Sequence, residues 1–504
     1  MNWPPCESDD TVNELVLKFL RADAAGRAGL LDEASTVAAL RGHFGDGAVD
    51  DMLRLHTGTA MQPHLGLHSA PNLVFVPGVM GSMLYSPTRG GVRWLNADTL
   101  KFLNGLALDP SGASDVDASD QITPFTVDVS YEPFNSAVLA RDDFGHRLFA
   151  YDWRKMYSHS TRALRDLILG MHRDNHDQPV HIVAHSMGGL MTRATLMEFG
   201  DELWPVIGRI AFIGTPHYGS ASIAGYLKNH LWGFEMLAVL GSFLSRDTFR
   251  SLWGVLSLLP APAGIYPGSR PGEPYATVGA AAGLGYAHPC ANFDLYDAVN
   301  WDLGLDAAAT ARLQTVLDAV ADLHRRLHAW HNDPGALLQE HCDKMLMVAG
   351  VGYKSLFRME YVERLGGLWT SMHKVTSRVP GDPHRDSDGR VPLASAQLER
   401  VRLKYVQGVH GSLQNIPAVY GDVFRWLREE PLTSLADTPG DALGGHLSAA
   451  TAQSDAPHLD GSARARADDP GYLELDEMAP AELAQAEQQV AAGLQQGFNL
   501  VKIL

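Results

Sequence analysis

The chain has 504 residues, 45% of them hydrophobic and 19% charged, so it can bury a sizeable core and is not globally disordered. A formal net charge of −18 works against nucleic acid, whose binding needs clustered Lys and Arg, and against long-range steering to an anionic bilayer. Three cysteines, Cys6, Cys290 and Cys342, cannot build a disulfide framework, and their odd number favours a reducing compartment.

The N-terminal run "MNWPPCESDDTVNELVLKFL" has acidic residues and prolines where a secretory signal needs a basic segment and then an apolar one. The expectation is a cytoplasmic protein, with a signal-independent export route as the alternative. Residues 1–68 read as an amphipathic helical region without evident chemistry, since "VNELVLKFL" and "VDDMLRL" are at helical spacing. From Pro71 the texture changes to short apolar runs, each followed by a glycine-rich turn or a helical pattern. "NLVFVPG" (72–78), "RLFAYDW" (147–153), "PVHIVAH" (179–185), "RIAFIGT" (209–215), "KMLMVAG" (344–350) and "RLKYVQG" (402–408) are the candidate strands. Nearly continuous apolar strands alternating with helices predict an α/β fold over 69–430, with a mostly parallel central sheet covered by helices on both faces.

Two insertions interrupt that rhythm, at about 82–143 and about 219–342. The larger reads as a cap. Its apolar stretch "LWGFEMLAVLGSFL" (Leu231–Leu244) contains Glu235 and falls short of the ~18 apolar residues of a membrane span, so no transmembrane segment is predicted. The cap also holds an amphipathic helix carrying Leu313, Val316, Leu317, Val320, Leu323, Leu327 and Trp330. His324, His328 and His331 on that helix are expected on its solvated face rather than as a metal pair. Beyond about Pro431 the composition turns to Ala, Gly, Asp, Ser and Pro. Residues 431–504 therefore read as a flexible acidic linker with a short helix at about Pro480–Gln496.

The chemistry concentrates in "DQPVHIVAHSMGGLMTRATL" (Asp177–Leu196), an apolar strand, a sharp turn and a helix. A serine at such a break is aimed outward at the end of the sheet, and small neighbours let strand and helix approach. That is the mechanics of the G-x-S-x-G nucleophile elbow, with Ala184 replacing the first glycine and Ser186 as the candidate nucleophile. A nucleophilic serine needs a base, an acid that orients the base, and an oxyanion hole. "HRDSDGRVPLASAQL" supplies Asp388 in a D-G-x-V-P turn, after a long loop beyond "KMLMVAG", and "LKYVQGVHGSLQN" places His410 just past the last strand. His410 would take the serine proton and return it to the leaving alcohol, while Asp388 holds the imidazole tautomer. The backbone N–H groups of Met187 and of Val79, at the turn in "FVPGVMGS", are the expected oxyanion donors. A calcium loop over Asp382, His384, Asp386 and Asp388 is disfavoured, because His stands at its first ligand position and Ser395 where the bidentate Glu belongs. No metal or cofactor is predicted.

The pieces "VFVPGVMGSML", "YDWRKMY", "VHIVAHSMGGLMTR", "IGTPHYGS", "SDGRVPLASAQL" and "VHGSLQN", spread from Asn72 to about Asn415, resemble the lecithin:cholesterol acyltransferase family, which includes lysosomal phospholipase A and bacterial relatives. The resemblance implies an α/β-hydrolase with a lid, cleaving acyl esters of glycerolipids or moving the acyl group to another alcohol. The disulfide-stapled lid and signal peptide of the family's secreted and lysosomal members are not visible in this sequence, so substrate and compartment do not transfer. The leading expectation is a serine-dependent acyl hydrolase or O-acyltransferase acting on phospholipid-type esters. The alternatives are a neutral-lipid lipase or general carboxylesterase and, from another class, an inactive hydrolase-fold binding module. Trp232, Phe234 and Phe243 of the cap are the candidate substrate-binding aromatics, through which the cap would touch a lipid interface.

Overall fold

The computed structural model describes chiefly residues 29–44, 70–86, 103–139, 143–228, 244–269, 293–353 and 387–444, together with strands within 356–374. The candidate cap aromatics Trp232, Phe234 and Phe243 and the helix expected near 480–496 lie outside the described residues, as does most of 1–28.

Eleven strands are described: β1 (Asn72–Val76), β2 (Ser82–Tyr85), β3 (Val92–Trp94), β4 (Thr123–Val127), β5 (Gly145–Leu148), β6 (Val180–His185), β7 (Ile207–Ile213), β8 (Met345–Val351), β9 (Leu356–Arg364), β10 (Gly367–Lys374) and β11 (Arg402–Gln407). Six of them form the central sheet in the order β11-β8-β7-β6-β1-β5. Every neighbouring pair in it is parallel. Every residue of β1, β6 and β8 is buried. Consecutive strand side chains point to opposite faces, so burial at every position means that both faces are covered. The edge strands "GHRL" and "RLKYVQ" are polar and only partly buried, as an edge allows. The expected α/β architecture with a mostly parallel sheet is what the chain adopts.

Five helices matter for the site: α1 (Thr161–Asp174), α2 (Met187–Leu203), α3 (Ala221–Lys228), α4 (Ala307–Asn332) and α5 (Pro417–Leu427). The α4 face Leu313, Val316, Leu317, Val320, Leu323 and Leu327 is buried as its periodicity requires. The histidines correct the expectation of a solvated face: His324 and His331 are buried. They hydrogen-bond through Nε2 to the carbonyls of Leu259 (3.0 Å) and Glu399 (2.9 Å). Burial holds both rings neutral, with pKa values lowered to about 4.

Two pieces of sheet were not evident from sequence. The smaller insertion folds into an antiparallel sheet β3-β2-β4. Leu30, Leu31, Ala39 and Leu40 of the N-terminal region pack on it against Met83, Tyr85 and Val92. The long loop expected after β8 contains the hairpin β9-β10. The described residues also continue past residue 431, to Gly444. The Asp422 carboxylate accepts the backbone N–H groups of Thr433, Ser434 and Leu435, and Ala436 exchanges two backbone bonds with Tyr405 of the sheet edge. Composition alone hid this anchor.

Candidate active site

Ser186 sits between β6 and α2 with φ 52° and ψ −126°, a conformation an L-residue adopts only when its surroundings enforce it. The surroundings do enforce it. The Ser186 N–H donates to Ile213 O (2.9 Å), fixing the end of β6 to β7. On the helix side, a Cβ at Gly188 would lie 2.3 Å from Val76 O and 2.5 Å from Pro77 O, so only glycine lets α2 start against β1. The strain directs the Ser186 side chain away from the sheet end, toward the loops beyond β8 and β11.

The three side chains that sequence singled out meet there. The Ser186 hydroxyl lies 2.8 Å from His410 Nε2, and His410 Nδ1 lies 2.7 Å from Asp388 Oδ2. The other carboxylate oxygen, Asp388 Oδ1, accepts the backbone N–H groups of Arg390 (2.9 Å) and Val391 (2.8 Å). These bonds assign protons. With its carboxylate accepting, Asp388 receives Nδ1–H, so neutral His410 presents a bare Nε2 to the serine hydroxyl. Asp388 is 1% exposed, Ser186 4% and His410 6%, so the series is shielded from bulk water.

The acid is held by backbone as well as by its side chain. His410 N–H donates to Asp388 O (2.9 Å), and Tyr353 N–H, just past β8, donates to Ser387 O (3.0 Å). The segment "RVPLASAQL" then ties to "GTPHYGS": the Ser220 hydroxyl donates to Arg390 O, and the Ser395 hydroxyl to Gly219 O. These two segments thus brace the loop that carries Asp388.

The turn after β1 carries the expected oxyanion donor Val79. It is closed by Gly81 N–H to Gly78 O (3.1 Å), with Met80 at φ 58°. The run "YDWR" and its neighbours support this turn. Tyr151 OH donates to Pro77 O (3.0 Å), Trp153 Nε1 to Ser82 O (3.0 Å) and Trp94 Nε1 to Met80 O (3.0 Å). Arg154, fully buried, pairs with Asp152 and Asp115 at 2.7 Å each, tying the smaller insertion to the same region. Gly78 N–H is engaged by Tyr131 Oη (2.9 Å) and is not available to a substrate. Among the described residues, no acceptor takes the amides of Val79 or Met187. Sequence gave no sign of Tyr131, which lies in the smaller insertion. For "YDWR" the signal was there as a motif, without a role.

Among the described residues, no group of three His, Cys, Asp or Glu could hold a metal ion, and no helix is long and apolar enough to cross a membrane.

A parallel sheet carrying a strained serine at the elbow after one strand, and a histidine and an acid beyond two others, is the α/β-hydrolase architecture, the scaffold of ester hydrolases. Residues 144–264 match the family described as Lecithin:cholesterol acyltransferase, whose motifs the sequence resembles. A comparison with curated proteins gave no significant match. Among solved structures, a chain of the Tle4-Tli4 complex is similar at 14% identity, covering 72% of this chain and 99% of its own, with a TM-score of 0.47. The Bacillus licheniformis lipase BlEst2 in its mature form is 13% identical over 71% of this chain and 92% of its own, with a TM-score of 0.34. Phospholipase PlaB from Legionella pneumophila is 11% identical over 75% of this chain and 62% of its own, with a TM-score of 0.29. Likeness at this level says nothing about substrate.

Proposed function

We propose that this protein is a serine-dependent acyl hydrolase or O-acyltransferase of lipid esters that works through an acyl-enzyme. The observation that carries the reading is the hydrogen-bonded series from Ser186 through His410 to Asp388. Ser186 Oγ attacks the ester carbonyl carbon as its proton passes to His410 Nε2, and Asp388 stabilises the imidazolium. The oxyanion of the tetrahedral intermediate is received by the N–H groups of Val79 and Met187. The intermediate collapses to the acyl-enzyme when the alcohol departs with the proton from Nε2. Water or a second alcohol then attacks the acyl carbon as its proton passes to His410 Nε2, and that proton returns to Ser186 Oγ when the acyl–oxygen bond breaks and the acid or new ester leaves.

The lipid part of the proposal is supported by the family match over 144–264 and by the apolar series from Leu231 to Leu244 in the sequence. The test is Ser186→Ala. It should abolish covalent labelling by a fluorophosphonate and lower p-nitrophenyl ester turnover by about three to six decades, with the circular dichroism spectrum unchanged. Near-normal turnover in this variant overturns the reading.

A further inference from the structure

Beside the series that ends on Asp388, a second hydrogen-bonded chain runs from the oxyanion turn to the backbone of the base. Gly78 N–H donates to Tyr131 Oη (2.9 Å), Tyr131 Oη meets His185 Nδ1 at 3.0 Å, and His185 Nε2 meets His410 O at 2.9 Å. The two ends settle the proton positions. A backbone N–H can only donate and a carbonyl can only accept. His185 therefore carries its proton on Nε2, its Nδ1 accepts, and Tyr131 donates to it. The assignment requires a neutral imidazole, and burial together with neighbouring His410 lowers the pKa of His185 to about 3. Both side chains are buried, Tyr131 at 0% exposure and His185 at 2%.

We propose that Tyr131 and His185 are positioning residues that hold the oxyanion turn and the His410 loop in one register, an inference that rests on the serine-hydrolase reading above. Peptide geometry is the reason. Pro77 O and Gly78 N–H belong to one peptide plane, and that plane is clamped at both ends, by Tyr151 OH and by Tyr131 Oη. The next plane contains Gly78 O and Val79 N–H, which point in opposite directions in a trans peptide. Its carbonyl is taken by Gly81 N–H, so the Val79 N–H is turned the other way and kept free. The turn also lies directly against the nucleophile: a Cβ on Gly78 would come within 2.9 Å of Ser186 Cβ. At the far end, His410 is fixed by its own N–H to Asp388 O and by its carbonyl to His185. The donor for the developing oxyanion and the acceptor for the serine proton are thus set by one chain of bonds. Such groups act only when placed to a fraction of an ångström before the reaction begins.

Tyr131→Phe removes one oxygen and leaves Gly78 N–H without its acceptor and His185 Nδ1 without its donor. Measured per fluorophosphonate-titrated active site with a soluble p-nitrophenyl ester, kcat should fall about 10- to 100-fold while KM stays within about twofold. Affinity for a trifluoromethyl ketone, whose adduct with the serine places an oxyanion in the hole, should fall by the same factor as kcat/KM. His185→Gln, whose amide nitrogen can still reach His410 O, should retain at least about tenfold more kcat than His185→Leu. Unchanged per-site kcat and unchanged ketone affinity in Tyr131→Phe overturn the inference. So does a loss confined to the number of titratable sites, which would assign Tyr131 to core packing. Equal kcat in the Gln and Leu variants removes His185 from the chain and overturns it as well. A parent protein that takes no label at Ser186 overturns the serine reading first, and this inference with it.

Discussion

Replacing Asp388 with asparagine tests the acid more sharply than deleting it, because size and shape are kept while one oxygen becomes an NH2 group. The two carboxylate oxygens of Asp388 have different partners, Oδ1 the Arg390 and Val391 amides and Oδ2 the Nδ1–H of His410. An asparagine oxygen must stay with the two backbone amides, since turning the NH2 toward them would set donor against donor at sites 2.9 and 2.8 Å away. The NH2 then faces His410 Nδ1 across 2.7 Å, which is tolerable only if Nδ1 loses its proton. The neutral ring must then carry its proton on Nε2, where it meets the Ser186 hydroxyl as a donor and cannot accept the serine proton. Loss of the correct tautomer costs about four decades of turnover, or ~5.5 kcal/mol of transition-state stabilisation. Hydrolysis of a soluble p-nitrophenyl ester by Asp388→Asn, Asp386→Asn and Asp382→Asn, each checked for folding, measures it. If Asp388→Asn keeps turnover within tenfold of the parent, or if Asp386→Asn is the inactive one, the assignment of the acid is wrong.

Acid should destabilise the fold through its buried histidines. Burial and His410 lower the pKa of His185 to about 3, and burial lowers that of His324 to about 4, against an unfolded value of ~6.5. Below that unfolded value the unfolded chain takes up protons that the folded chain refuses, so stability falls as pH falls, by about 1.4 kcal/mol per pH unit for each ring until its folded value is reached. Urea unfolding at pH 7.5, 6 and 5 should show this loss, and a flat profile refutes it. Gly188→Ala drives a Cβ to 2.3 Å from Val76 O; a loss of about 1–3 kcal/mol in stability and of most activity is expected, and a melting temperature equal to the parent's contradicts the packing argument. If the cap opens at a lipid surface, activity on a medium-chain ester should rise disproportionately above its solubility limit, because a surface can compete for side chains each worth roughly 1.5–3 kcal/mol on burial. Trp232→Ser with Phe243→Ser should flatten that rise and spare a soluble acetate ester; equal losses on both esters mean those aromatics are plain core.

What could be read from the sequence was what depends on neighbouring residues. Runs such as "NLVFV" and "VHIVAH" announce strands buried on both faces because apolar residues fill both parities, and the alternation with helices implies a parallel sheet. The elbow at Ser186 was legible for the same local reason, a strand, a small-residue turn and a helix within a few positions, and chain order nominated Asp388 and His410. The burial of His324 and His331 had a signal too, since they continue the heptad spacing of Leu317 on α4. Nothing local announced the β3-β2-β4 sheet or the β9-β10 hairpin, whose strands exist only with the cross-strand partners that tertiary folding supplies. Nor could the sequence say that Tyr131 takes the Gly78 amide, that Tyr151 takes the Pro77 carbonyl, or that His185 reaches His410 O. Those bonds join residues 53, 74 and 225 positions apart. Their existence depends on how finished elements pack, because a hydrogen bond is decided by tenths of an ångström and by direction, and sequence spacing carries neither.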